Sequence, residues 1–94
     1  VTVQVLLPRL LADCTGGRTA MSLELPPAAT VCALLDALAG EHPVFDRRVR
    51  DETGALRRHV NVYVDGEEVR RLSGLDTPVP AGAEVMVVQS VAGG

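Results

Sequence analysis

Apolar residues recur along this chain in two rhythms, and their alternation lays out the secondary structure. At the start, Val1-Thr2-Val3-Gln4-Val5-Leu6-Leu7 alternates apolar with polar, which predicts a strand with Val1, Val3, Val5 and Leu7 on one face. Pro8 ends it, because proline brings no N–H to a ladder. Residues 8–17 read as a loop closing at Thr15-Gly16-Gly17. From Arg18 to Leu25 the alternation returns, with Met21, Leu23 and Leu25 on one side, so the two segments pair as an antiparallel hairpin. Pro26-Pro27 forces a break. Thr30 then reads as a helix N-cap, and Val31, Leu34, Leu35 and Leu38 follow at helical spacing as one apolar stripe. Gly40 and Pro43 stop this helix, and Cys32 and Asp36 fall off its stripe.

Residues 44–58 are polar, with Val44, Phe45, Val49 and Leu56 as scattered anchors, a short helical turn over 45–51 and a turn at Thr53-Gly54. His59 to Val64 is the clearest strand, with Val60, Val62 and Val64 inward and Asn61 and Tyr63 outward. Asp65-Gly66 is a hairpin turn, after which a short return strand runs around Val69. Arg71 to Pro78 reads as a loop or a short 3₁₀ turn, and Pro80-Ala81-Gly82-Ala83 as a turn. Glu84 to Val88 is a last strand, apolar on both faces. One helix covers one sheet face, so this order predicts a two-layer α+β domain. It fits a β-grasp roll, in which the first and last strands lie parallel and adjacent in a mixed sheet of four to five strands on one main helix. Residues 1–90 form that domain, and 91–94 a short C-terminal tail.

At 94 residues the chain holds a single core. Its net charge is −3, and its aromatics are Tyr63 and Phe45 alone, a combination opposed to nucleic-acid binding. No apolar run approaches the ~18–20 residues that cross a bilayer, and no basic-then-apolar leader opens the chain, so a cytoplasmic location without membrane contact is the expectation. Cys14 and Cys32 read as free thiols of a reducing compartment, and His42 and His59 lack metal spacing. Asp13, Asp36 and Glu41 form no carboxylate pair. No bound cofactor or metal and no intrinsic hydrolase chemistry are therefore expected. All nine basic residues are arginine, so the chain has no lysine amine for an activated acyl group to meet.

The tail, Val91-Ala92-Gly93-Gly94, follows the last strand with no linker. Small residues are common at frayed termini, and composition alone allows that reading. The chemical reading is that the Gly94 carboxylate is the reactive group. A carboxylate is a poor electrophile, and joining it to AMP gives a mixed anhydride with a good leaving group, open to attack by sulfur or an amine. Four extended residues reach ~13–14 Å, far enough to enter another protein's pocket. Gly93 and Gly94 remove every Cβ near the reacting carbon. Such chemistry needs no catalytic side chain on this chain.

The Val-Ala-Gly-Gly end, the stretch Val-Asn-Val-Tyr-Val-Asp-Gly-Glu-Glu-Val-Arg at 60–70 and the early Thr-Gly-Gly at 15–17 resemble the ubiquitin-like sulfur-carrier proteins of the ThiS/MoaD group, and within it the CysO branch of bacterial cysteine biosynthesis. The resemblance runs over essentially the whole chain. It implies a protein co-substrate rather than an enzyme. A MoeB/ThiF-like activating enzyme would adenylate Gly94 with Mg-ATP, and a sulfur donor would convert it to a thiocarboxylate. The carrier would then deliver sulfur in a synthase, cysteine-synthase-like or thiazole-synthase-like, with a metalloprotease-type hydrolase releasing the product in the CysO branch. A specialised-metabolite or thiosugar pathway would use the same tail. A molybdopterin synthase small subunit and a ubiquitin-like modifier or interaction module share the fold and the tail, so both stand as alternatives.

On the outward sheet face, Leu6, Tyr63, Met86 and Val88 are too apolar for a merely solvated surface, and with Val91 and Ala92 they are the expected docking residues for these partners. Cover by a loop or by residues 44–58 is the competing reading. A parity shifted by one would expose Val85 and Val87 instead. Arg57, Arg58, Arg70 and Arg71 read as a solvated face or as a basic spot near the tail that steers an acidic partner cleft.

Overall fold

The computed structural model describes residues 1–90. Its strands are β1 (Thr2–Leu6), β2 (Ala20–Glu24), β3 (Val60–Val64), β4 (Glu67–Glu68) and β5 (Glu84–Gln89). They form one sheet in the order β2-β1-β5-β3-β4. β1 and β5 are parallel neighbours at its centre, and the other pairings are antiparallel. This is the β-grasp arrangement that the element order predicts.

Alternation decides which side chains go inside. Val3, Val5, Val60, Val62, Val64, Val85 and Val87 are buried on the inner face. The unshifted parity is the one that forms, since Val85 and Val87 are fully enclosed while Met86 points outward. The β3–β4 turn takes its shape from left-handed backbone at both central positions, Asp65 at φ 49° and Gly66 at φ 87°, the geometry that matches the twist of the flanking strands.

The second layer is built by α2 (Val31–Glu41) and α3 (Pro43–Val49), with the one-turn α1 (Arg9–Ala12) at the end of β1. Thr30 caps α2 as expected, its Oγ1 accepting the Ala33 N–H at 3.2 Å. The stripe Val31, Leu34, Leu35 and Leu38 is buried along its full length. Gly40 does not stop the helix, which runs to Glu41 before Pro43 starts α3 at its first position.

Four local expectations are corrected. Residues 8–17 are not a plain loop: Pro8 O accepts the N–H groups of Leu11 and Ala12, each at 3.0 Å, and this turn buries Leu11 in the core. Segment 45–51 is a two-turn helix over 43–49, which adds a second, shorter helix beside the main one. Val44 is no anchor, because that helix turns it outward while Phe45 and Val49 go in. Val69 is buried but lies in a 3₁₀ turn, the return strand having ended at Glu68.

Candidate functional site

The helices occupy one side of the sheet, which leaves the other side open. Across it the register sets Met86 of β5 directly between Leu6 of β1 and Tyr63 of β3, with Val88 paired to Asn61 one step further along. Met86 is 39% exposed, and Leu6, Tyr63 and Val88 are half-buried. A groove of about 200 Å³ follows the β1–β5 seam between Leu6, Leu7 and Pro8 on one side and Met86, Val87 and Val88 on the other. Toward the β2 edge the same face becomes polar, where Gln4 Nε2 donates to Ser22 Oγ at 2.8 Å and the Thr2 hydroxyl bonds Glu24. Beyond Tyr63 a hollow is lined by Gly66, Glu67, Glu68, Arg71 and the exposed Leu72.

The apolar strip has a direction. Because β1 and β5 are parallel, Leu6 and Val88 lie toward the same end of the sheet, the end at which β5 hands over to residues 91–94. There Ser90 donates its N–H and its hydroxyl to His59 O at 2.9 and 3.0 Å, fixing the last described residue to the start of β3. Gly94, Gly93, Val91 and Ala92, the remaining expected site residues, lie outside the described residues.

Two of the arginines beside this end are structural clamps rather than a merely solvated face. The Arg70 guanidinium donates to Val60 O at 2.6 Å, to Arg57 O at 2.9 Å and to the Asn61 side-chain oxygen. Arg57 Nε donates to Arg47 O at 2.9 Å, joining the approach to β3 with α3. Arg58 and Arg71 are exposed and enter no ion pair among the described residues.

The sequence reading missed Arg50, which is only 7% exposed. Its Nε lies 2.7 Å from Asp46 Oδ1 and its terminal NH1 2.9 Å from Asp36 Oδ1, so one guanidinium ties α2 to α3. Burial lowers the affinity of this group for its proton; the hydrogen bonds it donates to Asp46 and Asp36, with their negative charge, outweigh that and raise its pKa above the ordinary arginine value. Asp46 and Arg50 stand four residues apart at a helix end, the one signal in the sequence that pointed to the pair. Next to it, Asp51 Oδ1 accepts from Thr53 N, Thr53 Oγ1 and Ala55 N at 2.8, 2.5 and 3.2 Å. The Thr53 hydroxyl and N–H bonds, with smaller help from Ala55 and Arg57, hold the Asp51 carboxyl below its usual range.

Cys14 and Cys32 are free and half-buried. Among the described residues no three metal-ligating side chains converge, and no helix is long and apolar enough to cross a membrane. The surface that stands out is thus the apolar strip leading to the end of β5.

Comparison with known proteins agrees with that geometry. The ThiS family model matches residues 5–94. The sulfur carrier protein CysO of Mycobacterium tuberculosis is 33% identical over 96 residues, covering 100% of both chains. The crystal structure of SAMP1 from Haloferax volcanii superposes with a TM-score of 0.85 at 32% identity over 100% of both chains. A crystal structure of an Amycolatopsis orientalis BexX/CysO complex contains a chain with a TM-score of 0.78 at 36% identity, covering 98% of this chain and 99% of that one. The tail motif, the β-grasp sheet with its open apolar strip and these full-length matches together show that the chain belongs to the ThiS family of ubiquitin-like sulfur carriers.

Proposed function

We propose that this carrier works through the carboxylate of Gly94, charged by a MoeB/ThiF-like activating enzyme and discharged in a synthase. The carboxylate oxygen attacks the α-phosphorus of Mg-ATP, pyrophosphate leaves, and an acyl adenylate results. A sulfur donor then attacks the carbonyl carbon; the C–S bond forms as the C–O bond to AMP breaks, leaving a thiocarboxylate. That sulfur, softer and more nucleophilic than oxygen, attacks the electrophilic carbon of an acceptor held by the synthase, the C–S bond forming as the acceptor's leaving group departs; water then cleaves the thioester, which frees the sulfur-bearing product and regenerates the Gly94 carboxylate. ATP and Mg²⁺ belong to the activating enzyme, whose pocket supplies the charge stabilisation.

The observation that carries this reading is the strip Leu6–Met86–Tyr63–Val88 on the open face, pointing to the end of the sheet where β5 leads into the Gly-Gly tail. Both enzymes have to grip the domain and admit the tail at once, and a surface continuous with the tail serves both. Val91 and Ala92 are proposed to extend that grip. The BexX/CysO complex, in which a similar chain is assembled with another protein, supports a partner that grips the domain; the similarity to the M. tuberculosis sulfur carrier protein CysO supports sulfur as the cargo.

A second reading has its own support. A curated relative 37% identical over 84 residues is called small archaeal modifier protein 1 of Haloferax volcanii, so attachment of Gly94 to amines of other proteins is the alternative chemistry. Intact-mass spectrometry separates the two. With the activating enzyme, Mg-ATP and sulfide, the carrier reading expects the mass gain of one oxygen exchanged for one sulfur, mapped to Gly94. Lysine conjugates without that gain support the modifier reading and overturn the carrier scheme.

A further inference from the structure

The two ends of the sheet differ in charge along the strand direction. At the end where β5 leads into the tail lie Arg9 just after β1, Arg18 just before β2, Arg57 and Arg58 just before β3, and Arg70, clamped on Val60 O. Arg9, Arg18 and Arg58 are exposed and enter no ion pair among the described residues. Two carboxylates lie at the same end, Asp51 close to Arg57 and Arg58 and the exposed Asp13 between Arg9 and Arg18 in the β1–β2 connection, so the five arginines leave an excess of positive charge there. At the opposite end stand Glu24 at the end of β2, Asp65 and Glu67 flanking the β3–β4 turn, and Glu84 at the start of β5, four carboxylates against two cations, the Val1 ammonium 3.8 Å from Glu24 and the exposed Arg71 beside Glu67. The register fixes these as one end, since Glu84 pairs with Gln4, Glu24 with Thr2, and Asp65 N donates to Glu84 O at 2.9 Å. Glu67 and Glu84 are exposed and enter no ion pair among the described residues.

The two poles are separated by the length of β5, five steps of ~3.3 Å or about 16 Å. That exceeds the Debye length of ~8 Å at physiological ionic strength, so a docking partner meets each pole separately. The net charge of −3 conceals this arrangement, because it is a sum and carries no direction.

We infer that the polarity sets the orientation in which the activating enzyme accepts the apolar strip. The fitting partner surface is acidic around the mouth of its nucleotide pocket and basic about 16 Å away, beyond the strip. In the productive pose the arginine end faces the acidic mouth and aims the tail inward; turned end for end, both poles meet their own sign and the tail points away. The apolar strip supplies adhesion, which has little sense of direction, and the poles supply the direction. This inference rests on the functional reading above and adds the electrostatic character of the partner.

The test is stopped-flow association with the MoeB/ThiF-like activating enzyme of the same genome, run at low and at high NaCl. One variant reverses the tail-side pole, Arg18→Glu with Arg58→Glu; a second reverses the far pole, Glu67→Arg with Glu84→Arg. None of these side chains is buried, and circular dichroism checks that each variant folds. Each double reversal is expected to slow association at least about tenfold at low salt, with the gap closing as salt rises and the dissociation rate changing less. Association of folded variants within twofold of the unmodified protein, or faster association after the tail-side reversal, overturns the inference while leaving sulfur loading intact. Failure of the unmodified protein to bind the enzyme and to gain sulfur overturns the functional reading, and this inference falls with it.

Discussion

Replacing Met86 by Asp perturbs the proposed docking strip at its centre. The side chain lies between Leu6 and Tyr63 in the register and is 39% exposed, so a partner has that fraction left to cover. Full burial of a methionine is worth ~1.5–3 kcal/mol, and about two-fifths of it therefore ~0.6–1.2 kcal/mol. Aspartate also places a polar charged group against an apolar surface, adding at least ~1–3 kcal/mol where no partner satisfies it. The sum, ~2–4 kcal/mol, corresponds to a Kd weaker by roughly 30- to 1,000-fold at ~1.4 kcal/mol per decade. The fold loses far less. Met86 is on the outer face, Val85 and Val87 keep the core, and the strand-propensity cost is at most ~1 kcal/mol, or ~4–8 °C in Tm. Isothermal titration of the activating enzyme with the variant, paired with thermal unfolding, measures both quantities. Ser22→Asp, on the polar side of the same face, is the control and should bind as the unmodified protein does. A folded Met86→Asp protein binding within threefold of the unmodified one would refute the docking strip.

Three further outcomes are expected. Removal of Gly93 and Gly94 should abolish sulfur loading and leave Tm nearly unchanged, because among the described residues the buried core lies between Val3 and Val87; a large fall in Tm, or retained loading, contradicts this. Arg50→Met should lower stability by ~1–2 kcal/mol, between the cost of breaking a buried ion pair and that of an exposed one, since the Asp36 and Asp46 side chains left behind are 65% and 30% exposed. Denaturant unfolding reads this, and no loss of stability would remove Arg50 as the tie between the helices. The turn at Asp51–Ala55 should loosen in acid: its carboxyl titrates below 3.8 in the folded protein, so its contribution is whole above that value and disappears as pH falls through the lowered one. The Thr53 amide shift followed by NMR should show this transition, and Asp51→Asn should remove it; a midpoint above 3.8 contradicts the hydrogen-bonded turn.

Elements with several full periods were legible in the chain. Five alternating residues on β3 and four stripe residues on α2 leave little freedom in choosing the buried face, and the structure buries those same side chains. The outward set Leu6, Tyr63, Met86 and Val88 was legible for the same reason, whereas the parallel pairing of the first and last strands followed from the element order and the fold that it fits, since alternation does not fix strand order. Shorter elements were not. Pro8-Arg9-Leu10-Leu11-Ala12 holds one turn of helix, too short for a period, and what forms it is the capture of two N–H groups by Pro8 O. Val44 and Phe45 are adjacent and both apolar, and only the helix that starts at Pro43 decides which one enters the core. Arg50 escaped because its burial depends on Asp36 arriving from another helix, a tertiary meeting that no local pattern encodes. The charge difference between the two ends of the sheet was hidden likewise: the arginines are scattered from position 9 to 70, and the strand order gathers them.

The central claim is that the free carboxylate of Gly94 is the sole reagent this protein contributes. Its most direct test is a semisynthetic protein identical except for a C-terminal amide, run beside the acid form in a reconstituted reaction with activating enzyme, Mg-ATP, sulfur donor and synthase. The account predicts that the amide binds the activating enzyme yet takes up no sulfur and yields no product. Product from the amide at the rate of the acid form would contradict it.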